Sequence, residues 1–273
     1  MPELPEVETV RRRLVPHLSG RSLAEVEILD YRLTSPEPPE AVAARLLGTR
    51  IERLGRRGKY LLVELADGAA LAVHLRMTGN LLWLSSEPGV APPFLRARAV
   101  LDDGSFLAYT DVRRFGTWRV AEDGAEAWLA GKLGPEPLDG WTAGDMARSF
   151  AGRRAPVKAA LLDQRVVAGV GNIYADEALW AARIHPAAPA GRLSRARVAR
   201  LHGAVIAALE AGIEAQGASI RDFRTPDGGY GSAQERFRAY GRGGEPCERC
   251  GTVMRRTVLA QRGTSYCPRC QRF

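Results

Sequence analysis

The chain begins MPELPEVETV, which places a proline behind the initiator methionine and carboxylates at Glu3 and Glu6. Methionine is expected to be removed before a small residue, which leaves Pro2 with a secondary amine that is partly neutral at pH 7. Such an amine can attack an electrophilic carbon and form an iminium ion, as catalytic lysines do. Glu3 is placed to move protons, and Glu6, one helical turn on, to share the site. The alternative is that the segment only begins a helix, because acidic residues are favoured in a first turn.

A second group of reactive side chains lies near the other end of the chain. Its members are Cys247, Cys250, Cys267 and Cys270, two C-x2-C pairs separated by sixteen residues. This spacing predicts a zinc ribbon whose four thiolates hold one structural Zn²⁺. Two disulfides are the alternative, but they need an oxidising compartment, and the N-terminus lacks the pattern of a secretory signal. A zinc deaminase would need a His-x-Glu partner, and no histidine here is followed by glutamate two residues on.

Charge and hydropathy indicate the kind of partner. The chain carries 39 basic residues against 31 acidic residues, a net charge of +8, which suits a protein that neutralises phosphates. The zinc ribbon contributes Arg255, Arg256, Arg262 and Arg269, which favours nucleic-acid binding over the alternative of a solvated surface. No apolar run reaches the roughly 18 to 20 residues that a membrane span requires, so we expect no membrane partner.

Hydrophobic spacing predicts the elements that must position these side chains. Val7, Val10, Leu14 and Leu18 recur at helical spacing, with basic residues 11–13 on the solvated face. Residues 21–120 instead show short alternating runs between turn signals, which are typical of an antiparallel sandwich or barrel. Helical spacing returns after the Pro and Gly of residues 133–140. There, GVGN is a turn whose amides and Asn172 could face a phosphate, or a plain turn between helices.

Several longer motifs occur in a fixed order along the whole chain. They are MPELPEVET, HLRMTG, TDVRRFG, LGPEPL, GVGNIYADEAL and the terminal C-x2-C with AQRGTSYC-x2-C. In this order they resemble the formamidopyrimidine-DNA glycosylase family, from residue 1 to the final cysteine. The related endonuclease VIII group begins P-E-G-P-E, and Leu4 stands at that glycine, which favours the formamidopyrimidine branch.

The resemblance and the element pattern together predict an α+β fold. Its parts are an N-terminal antiparallel β-sandwich with an N-terminal helix, a helix-two-turns-helix module and a C-terminal zinc ribbon. We expect a catalytic sandwich domain at 1–132, a linker at 133–140, the DNA-binding module at 141–232 and the zinc hairpin at 233–273. The family's members also lead us to expect a monomer that works in the bacterial cytoplasm, associated with the nucleoid.

The family removes oxidised purines such as 8-oxoguanine and formamidopyrimidines from double-stranded DNA and cuts the abasic strand by β- and δ-elimination. By similarity, Pro2 is the nucleophile at deoxyribose C1′, Glu3 donates a proton to the opening sugar, and Lys59 contacts phosphate and assists catalysis. The other DNA-binding residues implied by the resemblance are His74, Met77, Arg113, Phe115, Lys158, Asn172 and Arg262. Of these, Met77 and Phe115 would be core residues on hydrophobicity alone, whereas the family uses them with Arg113 to fill the gap left by a flipped nucleotide.

The sequence departs from the family at two places. Val112 replaces the usual proline of TDVRRFG, a change that we expect to affect the stiffness of the loop more than the chemistry. Residues Thr225–Ser232, TPDGGYGS, lack the pattern that closes over a flipped 8-oxoguanine, so we expect a mobile loop that contributes little contact energy to that base. Two other functions therefore stay open, which are the same lyase chemistry on oxidised pyrimidines or abasic sites and a non-catalytic damaged-DNA binder.

Overall fold

The computed structural model describes residues 1–273, which form two compact units. The first unit consists of residues 1–130 and 215–232, and the second of residues 131–214 and 233–273. Each unit is therefore made from two separate stretches of the chain. None of the helices combines the length and the apolarity that are needed to cross a membrane.

The first unit is built around two four-stranded antiparallel sheets, which confirms the predicted sandwich. The strand order is β2-β3-β4-β8 in one sheet and β1-β6-β7-β5 in the other, and one hydrophobic cluster draws buried side chains from both. The strands are β1 Leu23–Ile28, β2 Ile51–Arg57, β3 Tyr60–Leu65, β4 Ala70–His74, β5 Gly79–Leu84, β6 Leu95–Leu101, β7 Phe106–Asp111 and β8 Thr117–Ala121. The helices of this unit are α1 Leu4–Leu18, α2 Tyr31–Thr34, α3 Pro39–Leu46 and α4 Ala125–Leu129.

Helix α1 packs its apolar face against β2 and β3, as its spacing predicts. Val7, Val10 and Leu14 are fully buried, and Leu18 is 1% exposed. Because these four side chains belong to the same cluster as the sheets, the start of α1 is fixed to the sandwich core. The residues that precede the helix, where the predicted chemistry lies, are thereby fixed as well.

The second unit contains the helices and the zinc-ribbon hairpin. Short helix α6 and helix α7 are joined by turns over residues 163–171, which is the predicted helix-two-turns-helix arrangement, and α7 packs against the long α8. Strands β9 and β10 form an antiparallel hairpin whose turn, Ala260 and Gln261, has positive φ at both residues. The elements are α5 Ala143–Phe150, α6 Val157–Leu162, α7 Asn172–Ala181, α8 Arg195–Glu214, β9 Arg255–Leu259 and β10 Arg262–Tyr266.

Candidate functional site

The N-terminal carboxylates are buried where α1 begins. Pro2 is buried, Glu3 is 2% exposed and Glu6 is 1% exposed. The backbone N–H of Glu3 donates to Glu6 Oε2 at 2.7 Å, and the N–H of Ala218 donates to Glu6 Oε1 at 2.8 Å. The segment therefore begins a helix and also holds two carboxylates beside Pro2, so the two interpretations of MPELPEV are compatible.

Glu8, the third carboxylate of this segment, has a structural role. It accepts hydrogen bonds from Arg11 at 2.7 Å and Arg12 at 2.7 Å, and Arg56 of β2 lies 3.2 Å from it. Burial alone would raise the pKa of Glu8, but the two hydrogen bonds and the charge of Arg56 lower it to about 2. Glu8 is thus a charged anchor between α1 and β2, and it offers no proton near neutral pH.

Lys59 and His74 lie close together on the sheet that α1 covers. Lys59 occupies the turn between β2 and β3, after Gly58 with φ 58°, and is 7% exposed. Its neighbour Tyr60 pairs with His74 of β4, and their rings meet edge to face at 4.7 Å. Burial, together with the charges of Arg76 and Lys59, lowers the pKa of His74 to about 3. His74 is therefore neutral, and since its Nδ1 accepts the N–H of Arg76 at 3.0 Å, Nε2 carries the proton and can donate.

The three residues that the resemblance assigns to gap filling stand on two loops of the first unit. Met77 is half-buried, whereas Arg113 is exposed and Phe115 is 51% exposed. The Arg113 guanidinium lies 4.8 Å from the centre of the Phe115 ring. An exposed phenylalanine under an arginine is not a core residue, so the core-packing alternative for Phe115 is wrong. Val112, at the family's proline position, is also exposed.

Asp111 ties these two loops together, a role that the sequence reasoning missed. Its carboxylate accepts the hydroxyl of Thr78 and the backbone N–H groups of Arg113 at 3.1 Å, Phe115 at 2.9 Å and Gly116 at 2.8 Å. Thr78 follows Met77 directly, and its hydroxyl oxygen also accepts the N–H of Arg113 at 3.0 Å. One buried carboxylate thus fixes the backbone on both sides of the exposed side chains. The only sequence signal is an acidic residue at the end of a strand, followed by a short exposed loop and a glycine.

Two glycines let these loops approach the sandwich closely. A Cβ on Gly116 would lie 1.6 Å from the Tyr109 hydroxyl, and one on Gly79 would lie 2.3 Å from the same oxygen. Because backbone and a buried ring cannot yield by that much, only glycine fits at either position. The glycines of HLRMTG and TDVRRFG are thereby explained by packing.

In the second unit, Lys158 and Asn172 meet the turn of the zinc hairpin. Lys158 is fully buried, and its ammonium lies 2.7 Å from Asp176 and donates to Thr264 Oγ1 at 2.8 Å. Burial raises the pKa of Asp176 to about 6, although Lys158 opposes the shift. Asn172 donates to the carbonyl of Gly263 at 3.1 Å. Both side chains therefore hold the hairpin in place next to Arg262, which is exposed.

The four cysteines converge at the base of the hairpin. Their Sγ atoms all lie within 4.8 Å of one another, close to the spacing of about 3.8 Å that follows from Zn–S bonds of about 2.3 Å in a tetrahedron. Trp180 Nε1 donates to Cys247 Sγ at 3.4 Å. Four thiolates converging on one point fit a single ion and leave no position for a reacting water. The chain holds one structural Zn²⁺ at this point.

The segment Thr225–Ser232 is anchored at several points in the first unit. The backbone N–H of Trp83 donates to the Pro226 carbonyl at 2.8 Å, and the carboxylate of Asp227 pairs with Arg13 at 2.9 Å. The Arg224 guanidinium lies 4.2 Å from the centre of the exposed Tyr230 ring. These contacts give the segment more support than its glycine content alone predicts, while its mobility and its small contribution to binding 8-oxoguanine stay predictions.

Comparison with known proteins covers nearly the whole chain. Three family models match: the formamidopyrimidine-DNA glycosylase N-terminal domain at residues 1–118, the formamidopyrimidine-DNA glycosylase H2TH domain at 133–224, and the zinc finger found in FPG and IleRS at 244–272. The formamidopyrimidine-DNA glycosylase of Chloroflexus aggregans is 47% identical over 274 residues, covering 99% of this chain and 98% of that protein.

Solved structures of similar proteins contain damaged DNA. A MutM protein in complex with DNA containing carbocyclic 8-oxo-G matches with a TM-score of 0.91 at 36% identity, over 100% of both chains. The Lactococcus lactis Fpg in complex with abasic-site DNA matches with a TM-score of 0.91 at 35% identity, over 99% of this chain and 100% of that one.

Proposed function

Since the chain belongs to the formamidopyrimidine-DNA glycosylase family and is a base-excision DNA glycosylase with abasic-site lyase activity, we propose that the amine of Pro2 is its nucleophile. The observation that carries the proposal is the burial of the carboxylates of Glu3 and Glu6 directly behind Pro2. Of these two carboxylates, Glu3 is the one that can deliver and accept protons at a carbon bound to the amine. Oxidised purines, 8-oxoguanine and formamidopyrimidines, are the proposed substrates.

In the proposed reaction, Pro2 nitrogen attacks C1′ of the damaged nucleotide, and the bond from C1′ to the base breaks. The base leaves with the bonding electrons and gains one proton, which balances the N–H proton that the Pro2 nitrogen loses after its attack. Glu3 protonates the sugar ring oxygen as the ring opens, and C1′ remains bound to Pro2 as an iminium ion. The iminium acidifies the proton on C2′. Transfer of this proton to the Glu3 carboxylate, which has given its own proton to the sugar, expels the 3′ phosphate. Loss of the C4′ proton to water then expels the 5′ phosphate.

Glu6 and Lys59 have supporting roles in this proposal. Both oxygens of Glu6 accept backbone N–H groups, from Glu3 and Ala218, so we assign Glu6 to holding the N-terminal segment in place. Lys59 is a largely buried cation on a tight turn, which suits a contact with the phosphate beside the reacting sugar. Neutral His74 lies next to Lys59 and can donate its Nε2 hydrogen to the phosphate backbone of the DNA.

DNA is the partner of the chain, and the contacts proposed for it fall into two groups. Met77, Arg113 and Phe115 would enter the duplex, where apolar and planar groups offset lost base stacking. Arg262, supported by Lys158 and Asn172, would hold phosphates. We further propose that the chain acts as a monomer in the bacterial cytoplasm, at the nucleoid.

The proposal is tested by borohydride trapping on duplex DNA that contains one abasic site. Protein with Met1 removed should form a covalent complex, and protein that retains Met1 or carries an N-terminal tag should form none, because its Pro2 nitrogen is an amide. Removing the tag to expose Pro2 should restore trapping, which is the matched control. If tagged protein traps as well as processed protein, Pro2 is not the nucleophile, and a Lys59→Arg variant would show whether Lys59 is.

A further inference from the structure

The second unit carries a strongly basic pocket that the proposed reaction does not use. Its volume is about 660 Å³, and its lining contains no acidic side chain. We call it the arginine pocket, after the six guanidinium groups that line it: Arg183, Arg197, Arg200, Arg249, Arg269 and Arg272.

The positive charge of the arginine pocket is not neutralised by protein carboxylates. None of its six arginines forms an ion pair with an acidic side chain, whereas Arg238 and Arg242 of the same unit both pair with Glu248. The pKa of Arg197 is lowered, by burial and by the neighbouring charge of Arg200, as expected where cations are crowded. Crowded cations without counter-charges are costly unless an anion binds to them.

Two structural roles account for only part of this charge. The pocket adjoins Cys250 and Cys270, and a zinc ion with four thiolates carries two negative charges. The C-terminal end of α7 adds about half a negative charge. Against six arginines, these charges and the α-carboxylate of Phe273 leave an excess of roughly two to three positive charges, using that dipole value. Neutralising the zinc site and capping the helix do not require so many.

Some of the arginines are held in place by the protein and retain donors for a ligand. Arg249 stacks on Trp180 at 3.9 Å and donates to its carbonyl at 3.1 Å, while Arg200 donates to the Ala182 carbonyl at 2.8 Å. Each guanidinium has five N–H donors, so most remain available. Fixed guanidinium forks match the oxygens of phosphate groups.

The arginine pocket is separate from the phosphate contacts proposed for the lesion duplex. Asn172 is the first residue of α7, whereas the carbonyls of Trp180 and Ala182 that the pocket arginines bind lie at its other end. A helix of ten residues is about 15 Å long. The two basic surfaces therefore lie at opposite ends of one rigid helix.

An exposed aromatic ring beside the pocket indicates what kind of polyanion binds. Phe273 lines the pocket and is 72% exposed, and its inner face stacks on His185 with ring centres 4.2 Å apart and planes 20° apart. Its outer face is open. Unpaired bases stack on such faces while arginines hold the phosphates. We propose that the arginine pocket and Phe273 bind a second, single-stranded segment of nucleic acid, at the same time as the lesion duplex.

The test uses full-length, zinc-loaded protein whose main site is first saturated with an unlabelled duplex that carries a stable abasic analogue. A labelled oligothymidine of about 20 nucleotides is then titrated by fluorescence anisotropy at several salt concentrations. In the double variant Arg183→Gln with Arg269→Gln, the negative slope of log K against log salt should become shallower by about 1.4, since each single-strand phosphate contact contributes about −0.7. The same relation predicts roughly 25-fold weaker binding at 0.1 M salt.

Two further variants separate the alternatives. The control double variant Arg148→Gln with Arg236→Gln removes equal charge from exposed arginines of the same unit and should bind as the wild type does. Phe273→Ala should weaken binding by roughly 5- to 150-fold without changing the salt slope, because stacking involves no counterions. If the pocket variant and the control variant have equal salt slopes, the arginine pocket does not bind the single strand. If the pocket variant loses as much affinity for a labelled undamaged duplex as for oligothymidine, the pocket has no preference for single strands.

Discussion

Replacing Asp111 with asparagine tests whether this buried carboxylate holds the gap-filling loops. Asp111 accepts the Thr78 hydroxyl and three backbone N–H groups. An asparagine whose oxygen faces Phe115 and Gly116 keeps those two hydrogen bonds, but its NH₂ group then points at the N–H of Arg113. Hydrogen bonds to a charged group contribute about 1.5 to 3 kcal/mol each, against about 1 for neutral ones.

Two weakened bonds and one lost bond sum to about 2.5 to 7 kcal/mol of hydrogen-bond strength. Because Val112 to Phe115 are largely exposed, the loop can open and form hydrogen bonds with water instead. The net loss is then that of one or two ordinary hydrogen bonds, about 1 to 2 kcal/mol, and it should appear as local disorder. We expect excision from duplex DNA to slow by roughly 5- to 30-fold in kcat/KM, which is the same free energy expressed as a rate.

Single-stranded abasic DNA provides the discriminating substrate, because it has no orphaned base for Arg113 and Phe115 to contact. Borohydride trapping on it should be unchanged in Asp111→Asn. The control is Asp103→Asn. The Asp103 carboxylate accepts the backbone N–H of Ser105 within its own turn. This variant should behave as wild type on both substrates. Equal slowing on single-stranded and duplex DNA would refute the assignment, as would unchanged excision from duplex DNA.

Three further predictions concern metal, pH and the loop. Cys250→Ser should release zinc and weaken DNA binding, because so small a ribbon cannot bury enough core without the ion; full metal content by elemental analysis would contradict the four-thiolate site. Because the pKa of Glu8 is about 2 in the fold against an ordinary 4.5, its stabilisation is present above pH 5 and is lost as pH falls toward 2. The difference in Tm between wild type and Glu8→Gln should thus shrink from pH 6 to pH 3, and a constant difference would count against the Arg11, Arg12 and Arg56 contacts. Deleting Gly228–Gly231 should slow 8-oxoguanine excision by less than about tenfold, roughly 1.4 kcal/mol, and spare abasic cleavage; a loss of several hundredfold in an incision assay, confined to 8-oxoguanine, would show that the loop reads the base.

Local patterns predicted much of the structure. The spacing of Val7, Val10, Leu14 and Leu18 specified both helix α1 and its buried face, because a helix repeats every 3.6 residues whatever its surroundings. The C-x2-C pairs specified the zinc site for a similar reason, since each pair forms on one tight turn.

Local sequence patterns do not predict contacts between distant parts of the chain. Nothing local indicates that Glu6 accepts the N–H of Ala218, or that Lys158 is fully buried against Asp176, since a helix of this pattern usually exposes its lysine. Asp111 could not be chosen from other strand-end acids, because its function depends on how a loop folds back over it. Tertiary packing decides all three.

The interleaving of the two units constrains how such a protein can be recombined. An exchange of the chain after residue 130 between two relatives would replace residues 215–232 along with the second unit. That stretch supplies the Ala218 N–H to Glu6 and Phe223 to the sandwich core, so a chimaera would combine the N-terminus of one relative with residues 215–232 of another. We infer that residues 1–130 and 215–232 must be inherited as a set, although more than 80 residues of the other unit stand between them in the gene.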